Sequence, residues 1–435
     1  MEQNMNQYIK AFEDLKRGAA SADVPWVRRL RGEAMASFIE KGFPTTRDEA
    51  WRYTDPTAIR DAAFIFETGA ATLSQGQIEK LNRERVGNRI MFLNGRYVRE
   101  VSSLPENVEV VDLRKALATN PEIEMHCGAH ADFKQNAFVA LNTAFLGEGV
   151  LIRIPEGTVL EVPLRLVFVA DPASEDSIFQ PRVLILAGKR SGGTLVEHYC
   201  AANLKGYFTN IVSEIVLGEG ASFRHCKIQN ENANAFHIAS TWVSQEKGSQ
   251  FSSWALSTGS RLMRNDCHVG LAKEEASCVL SGLYLGDGDQ HLDQHTFIDH
   301  RSPAGKSRQF FKGLMAGKSR GVFGGKVLVR QGAVQTDAMQ TNKNLLLSDE
   351  ARVDTQPQLE IDTDDVKCSH GAAVGQLQED ALFYLRARGI GERDAGRMLA
   401  RGFAQEVIDT AGEGLFKKEL EELVSRKLEA QFSQS

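Results

Sequence analysis

Hydrophobic residues near the start of the chain recur with a helical period. Val27, Leu30, Ala34, Phe38 and Ile39 fall on one face of a segment over 27–41, which Gly42 and Pro44 then interrupt. Residues 1 to about 85 read as helical on this basis. Trp51 and Tyr53 follow in a turn-like segment closed by Asp55 and Pro56, where two large amphipathic rings suit a plug between this cap and the next unit. From about Ile90 the pattern changes to short β-branched runs, including 150–154, 164–169, 182–186 and 211–217, separated by Gly, Asn, Asp and Ser. No stretch reads as a helix again until after residue 376. Beyond it, Leu377, Ala381, Leu382 and Leu385 share a helix face and Gly389 is a C-terminal stop. Met398, Leu399, Phe403 and Val407 mark a second helix over 394–409. Phe416, Leu420, Leu423, Val424, Leu428 and Phe432 mark a third, with Lys and Glu on its other side.

Within the β-rich region a "small, any, apolar" step follows a polar turn at 193, 221, 249, 276, 305 and 332, an interval of 27 to 29 residues; a further instance at 351 breaks the rhythm. A repeat of this length built from strands predicts a β-solenoid, in which each coil buries its inner face on its neighbours. A β-sandwich has no reason to keep the interval constant. The predicted organisation is a mainly β protein with a right-handed parallel β-helix over 89–366, between an N-terminal helical cap over 1–88 and a C-terminal helical domain over 367–435.

Composition narrows the function. With 435 residues and 42% hydrophobic content the chain can bury a large core. A net charge of -6 leaves no general basic footprint for nucleic acid. The polar, acid-containing start resembles neither a secretory signal nor a transit peptide, and no apolar run is long enough to cross a bilayer. The six cysteines, at 127, 200, 226, 267, 278 and 368, form no CxxC pair. This usage points to reduced thiols in the cytoplasm.

Candidate chemistry centres on Cys368 and His370. Two positions apart on a strand, they share a face about 7 Å apart and present a thiol and an imidazole to a borderline or thiophilic metal. Two such ligands complete neither a structural zinc site nor an iron–sulfur cluster, so any metal they handle is transient or shared with another chain. The plainer reading is a buried thiol and a hydrogen-bonded ring in the last coil. Asp266 with His268, His225 beside Cys226, and His291 and His295 around Asp293 all read as ordinary solenoid lining or surface. An interior thiol passage through Cys226, Cys267 and Cys278 would require these residues to stack coil over coil. Gly317-Lys-Ser319 and Gly305-Lys-Ser307 imitate the end of a phosphate-binding loop, but Lys312 and His300 stand where its first glycine belongs. The chain is therefore not read as an ATPase, nor does it carry a dinucleotide fingerprint that would hold a flavin.

The run from Asp364 to Ile390, DDVKCSHGAAVGQL followed by ALFYLRARGI, resembles the C-terminal signature of the SufB/SufD family of SUF iron–sulfur cluster assembly scaffolds, on its SufD side. The segments 45–54 (TTRDEAWRYT), 340–347 (QTNKNLLL) and 353–361 (VDTQPQLEI) agree with that family. The resemblance implies a non-enzymatic scaffold subunit that pairs with a SufB-like chain where their β-helices meet and helps acquire iron there. Its functional histidine corresponds to His370, the metal-handling residue, with the family cysteine at Cys368. Iron or a nascent Fe–S cluster would be held transiently and shared with the partner. SufB-like chains carry a key cysteine within the equivalent of 340–347, whereas this chain has Asn342 and no thiol there, which fits the SufD side. The resemblance also implies docking of a SufC-like ABC ATPase on Phe383, Tyr384, Leu385, Arg386, Arg388, Gly389 and the helix after them. A homodimer is the alternative state of the isolated chain. Two rivals remain: a carbohydrate-active β-helix using Asp362, Asp364 and Asp365, and a purely structural homodimeric β-helix.

Overall fold

The computed structural model describes residues 2–19, 24–66 and 87–434. The last part of the expected N-terminal helical stretch therefore lies largely outside the described residues.

Val27, Ala34, Met35 and Phe38 are buried along the helix Pro25–Lys41, and Gly42 ends it at φ 68°. From Gly149 onward, strands alternate between two parallel sheets, apart from the short strand Ser177–Phe179, which shares a sheet with Arg182–Ala187, so that each coil contributes to both. About 8 turns of this β-helix are stacked. One sheet ends with the strand Arg352–Ile361 and the other with Lys367–Gln376. The inner faces of both sheets meet in one long core that includes Leu195, Phe223, Phe251, Leu280 and Val327.

The repeat read from sequence is physical where it is most regular. Phe223, Phe251, Cys278 and Ser307 lie on one register line across neighbouring strands. Gly193 is the register partner of Phe223, so Leu195 sits one inward position further along. Val334 lies in a turn before the strand Asp337–Leu346. The irregular instance at 351 leads into Arg352–Ile361, which belongs to the other sheet; this accounts for the broken rhythm.

Two expectations are corrected. Helices Leu113–Thr119 and Ala137–Ala144 interrupt the region read as free of them. All eight residues of Ala137–Ala144 are buried, so it has no polar face and no amphipathic period to read. The boundary placed between 366 and 367 also moves, because Lys367–Gln376 is the last strand of the rod and the helical segment begins at Glu379.

Helices cover both outer faces. Against one sheet, Phe208, Phe236, Ile238 and Leu262 pack on the helix Ala137–Ala144 and the N-terminal aromatics Trp51 and Phe64. Trp51 meets the ring of Phe138 at 5.2 Å, as a plug between cap and rod. The guanidinium of Arg264 lies 4.0 Å above the Trp51 ring and donates to the Ala50 carbonyl at 2.7 Å. The Thr54 hydroxyl donates to Asp293 at 2.6 Å. Against the other sheet, Trp254, Leu283, Leu285 and Leu314 pack on Leu420, Val424 and Leu428 of the helix Leu415–Gln434. Trp254 Nε1 donates to the Val407 carbonyl at 3.1 Å, tying the helix Glu392–Ile408 to the rod. That helix buries Ala395, Ala400, Ala404 and Val407, while Met398 is exposed.

Candidate functional site

The strand Lys367–Gln376 pairs with Asp337–Leu346 on one side only. Cys368 is in register with Ala338 and His370 with Gln340. Ala338 belongs to the inner core and Cys368 packs against it, so the residues sharing its parity also face the rod's axis. Cys368 and His370 therefore stand on one face, as their spacing predicts. Among the described residues no further coil stacks on them, so inward-parity positions that are buried in earlier coils are open here. Gln340 is 1% exposed, whereas His370 on the next strand is exposed and Val374 is 44% exposed. The free edge also leaves backbone N–H and C=O groups available for pairing.

Burial pushes the Cys368 thiol up and the nearby Asp337 carboxylate adds to this, while the Ala338 backbone contact opposes it. The group is thus a protonated thiol near neutral pH, and a thiol in this state binds a metal only by giving up its proton. Among the described residues no group of three or more His, Cys, Asp or Glu side chains is placed to hold a metal ion.

The six cysteines are thiols. The interior thiol passage does not form: Cys267 and Cys278 face the inner core, but Cys226 has the parity of Ile228, which packs under the C-terminal helices. The other pairs have structural partners. Asp266 binds Arg264 at 2.9 Å rather than its neighbour His268, which stacks on Trp242 at 3.9 Å and is held at about 4 by burial. Asp293 receives Thr54, Arg264 at 2.8 Å and His295 at 3.0 Å, and forms the centre of the clasp beneath the 45–54 segment. His225 points inward, 3.3 Å from Glu197. Burial alone would raise the Glu197 carboxyl, but His225 and Lys227 beside it hold it down at about 2. Of the two imitation phosphate loops, Ser307 bonds His300 at 2.9 Å and Ser319 bonds the Ala316 carbonyl at 2.7 Å; each begins a strand rather than a helix. Asp362, Asp364 and Asp365 are exposed in the turn before the last strand.

The helix Glu379–Ala387 leads away from this end. Leu377, Ala381, Leu382 and Leu385 form its half-buried face, and Gly389 ends it at φ 84°. On the opposite side Phe383 is 74% exposed and Tyr384 57% exposed. Arg388 covers the Tyr384 ring at 4.9 Å and donates to its hydroxyl, and Arg386 reaches Glu392 at 3.4 Å. The sequence reading missed the residues behind the site. Leu195, His225, Ser253, Leu280, Gln309, Gln340 and His370 occupy one register line. Carrying the repeat phase back from His370 would have exposed that polar series.

The fold and its end surface define a β-helical scaffold whose thiol and imidazole lie on the face of a terminal coil. The chain belongs to the SufB/SufD family of iron–sulfur cluster assembly proteins. Residues 168–403 match the family described as "SUF system FeS cluster assembly, SufBD core domain", and residues 2–166 match the "SufBD protein N-terminal region". An iron–sulfur cluster assembly SufBD family protein of Synechocystis is 34% identical over 84% of this chain and 83% of its own length. The chloroplastic protein ABCI7 of Arabidopsis thaliana is 30% identical over 93% of this chain and 86% of its own. The iron–sulfur cluster assembly protein SufD of Escherichia coli is 27% identical over 91% of each. No helix among the described residues is long and apolar enough to cross a membrane.

Proposed function

We propose that this chain is the SufD-type half of a two-rod scaffold and that a SufB-like chain covers its last coil. The observation that carries the reading is the placement of Cys368 and His370 on the inner-parity face of a coil on which no further coil stacks among the described residues. Two donors of this kind fall short of the four ligands that a cluster or a tetrahedral metal takes, so the remaining ligands come from the chain that covers them. Iron, or the nascent cluster, is the cargo. His370 receives it through a ring nitrogen, and Cys368 joins once its proton is displaced.

A SufC-like ABC ATPase docks on Phe383, Tyr384 and the arginines beside them. Two exposed aromatic rings next to guanidinium groups are the composition of an interface anchor. The same helix packs on the helix Glu392–Ile408, which is tied to the rod through Trp254, so motion of the ATPase reaches the rod through that helix. The scattered thiols suit a reducing cytoplasm.

Co-expression with the sister scaffold chain and the ATPase, followed by iron and sulfide analysis of the purified complex, tests the proposal. His370→Ala is expected to leave the complex intact and remove most of its iron. A His370→Ala complex loaded like the wild type would overturn it.

A further inference from the structure

Gln340 stands directly before His370 in the register. Its side chain is buried, yet neither Oε1 nor Nε2 has a hydrogen-bond partner among the described residues. A buried amide left unpaired is costly and rare in native structures. The fold nevertheless makes room for it. Gly325 lies on the strand across the lumen, and a Cβ there would fall 1.8 Å from Gln340 Nε2. A glycine in mid-strand weakens the strand, and here its effect is to let the amide cross the lumen.

Two polar groups flank this amide along the register line. On the preceding strand Gln309 has its Oε1 taken by the Thr296 hydroxyl at 2.6 Å, while its Nε2 has no partner among the described residues. On the following strand is the ring of His370, one strand spacing away, about 4.8 Å. Side chains at that separation in register touch when one of them rotates.

We propose that Gln340 is a positioning residue for His370. Once a partner chain covers the rod's end and excludes water, Gln340 Oε1 accepts the N–H of one ring nitrogen of His370. This fixes the tautomer and turns the lone pair of the other nitrogen toward the incoming iron, the arrangement that outer partners impose on metal-binding histidines. The inference rests on the reading of His370 as the iron-handling residue.

The test uses the co-expressed complex and two variants that share the shape of glutamine. Gln340→Met removes both hydrogen-bonding groups, and Gln340→Glu keeps an acceptor at the same reach. Gln340→Met is expected to lower iron content or affinity roughly tenfold. The melting temperature of the free chain, where this buried amide is unpaired, should hold or rise with Gln340→Met. Gln340→Glu should restore iron loading while lowering the melting temperature. A merely structural role would move stability and loading together. In a His370→Ala background, Gln340→Met should cause no further loss, since its effect passes through the ring. Full loading of Gln340→Met, or an additive loss in the double variant, overturns the inference. Full loading of His370→Ala instead overturns the underlying reading, so the two failures are distinguishable.

Discussion

Arg264→Met tests how the N-terminal cap is held on the rod. The Arg264 guanidinium is buried between Asp266 and Asp293, covers the Trp51 ring and donates to the Ala50 carbonyl. Methionine keeps much of the packing volume and removes the charge. Stripping one partner from a buried ion pair costs about 3–5 kcal/mol, and a desolvated cation–π contact adds about 2 kcal/mol. The terms are not additive, and Asp293 keeps Thr54 and His295, so the expected cost is about 4 kcal/mol. It should fall on the 45–54 segment, because the strands beneath keep their parallel ladders. Native-state hydrogen exchange reads this locally. The Thr54 amide, bonded to the Trp51 carbonyl at 3.0 Å, should lose roughly a thousandfold in protection, since each factor of ten is about 1.4 kcal/mol. Arg264→Lys should lose less, because it keeps the charge but lacks the fork that spans both carboxylates. Unchanged protection at Thr54 in Arg264→Met would show that the apolar contacts of Trp51 hold the segment alone.

Three further outcomes concern stability and docking. Burial holds the fully buried His300 at about 4, below its ordinary 6.5, although Asp299 opposes the shift. Its folded value lies below the unfolded one, so its contribution is complete above pH 6.5 and is lost as pH falls toward 4. The loss is on the order of 3 kcal/mol and should appear as a falling melting temperature that is shallower in a His300→Gln variant. Replacing Phe383 and Tyr384 together by Ala should leave melting within the small range expected of exposed sites while abolishing ATPase co-purification. Leu420→Ala, fully buried under the C-terminal helices, should cost about 2–5 kcal/mol instead.

The β-helix could be read from sequence because each coil repeats the same inward step, as Phe223, Phe251 and Cys278 show by sharing one register line. Residues that fit no period were misread. The helix Ala137–Ala144 is buried all round and offers no contrast between faces. Met398 appeared to belong to an inner face, but the helix packs through alanines close against the rod and leaves it outside. The site was half legible. The two-residue spacing of Cys368 and His370 fixed their common face, but only the assembled rod shows that this face is its uncapped end. Gln340 and Gly325 escaped notice because their relation crosses the lumen between sheets, at a distance along the chain that no local pattern encodes.

The most direct measurement of the central claim is thiol footprinting of Cys368, with half-buried Cys200 as the internal reference. Alkylation rates of both would be compared in the free chain, diluted until monomeric, and in the complex with its sister scaffold chain. The account requires Cys368 to be protected at least tenfold in the complex while Cys200 reacts as before. Equal rates at Cys368 in the two states would mean that the last coil stays uncovered, and the shared-site account would be wrong.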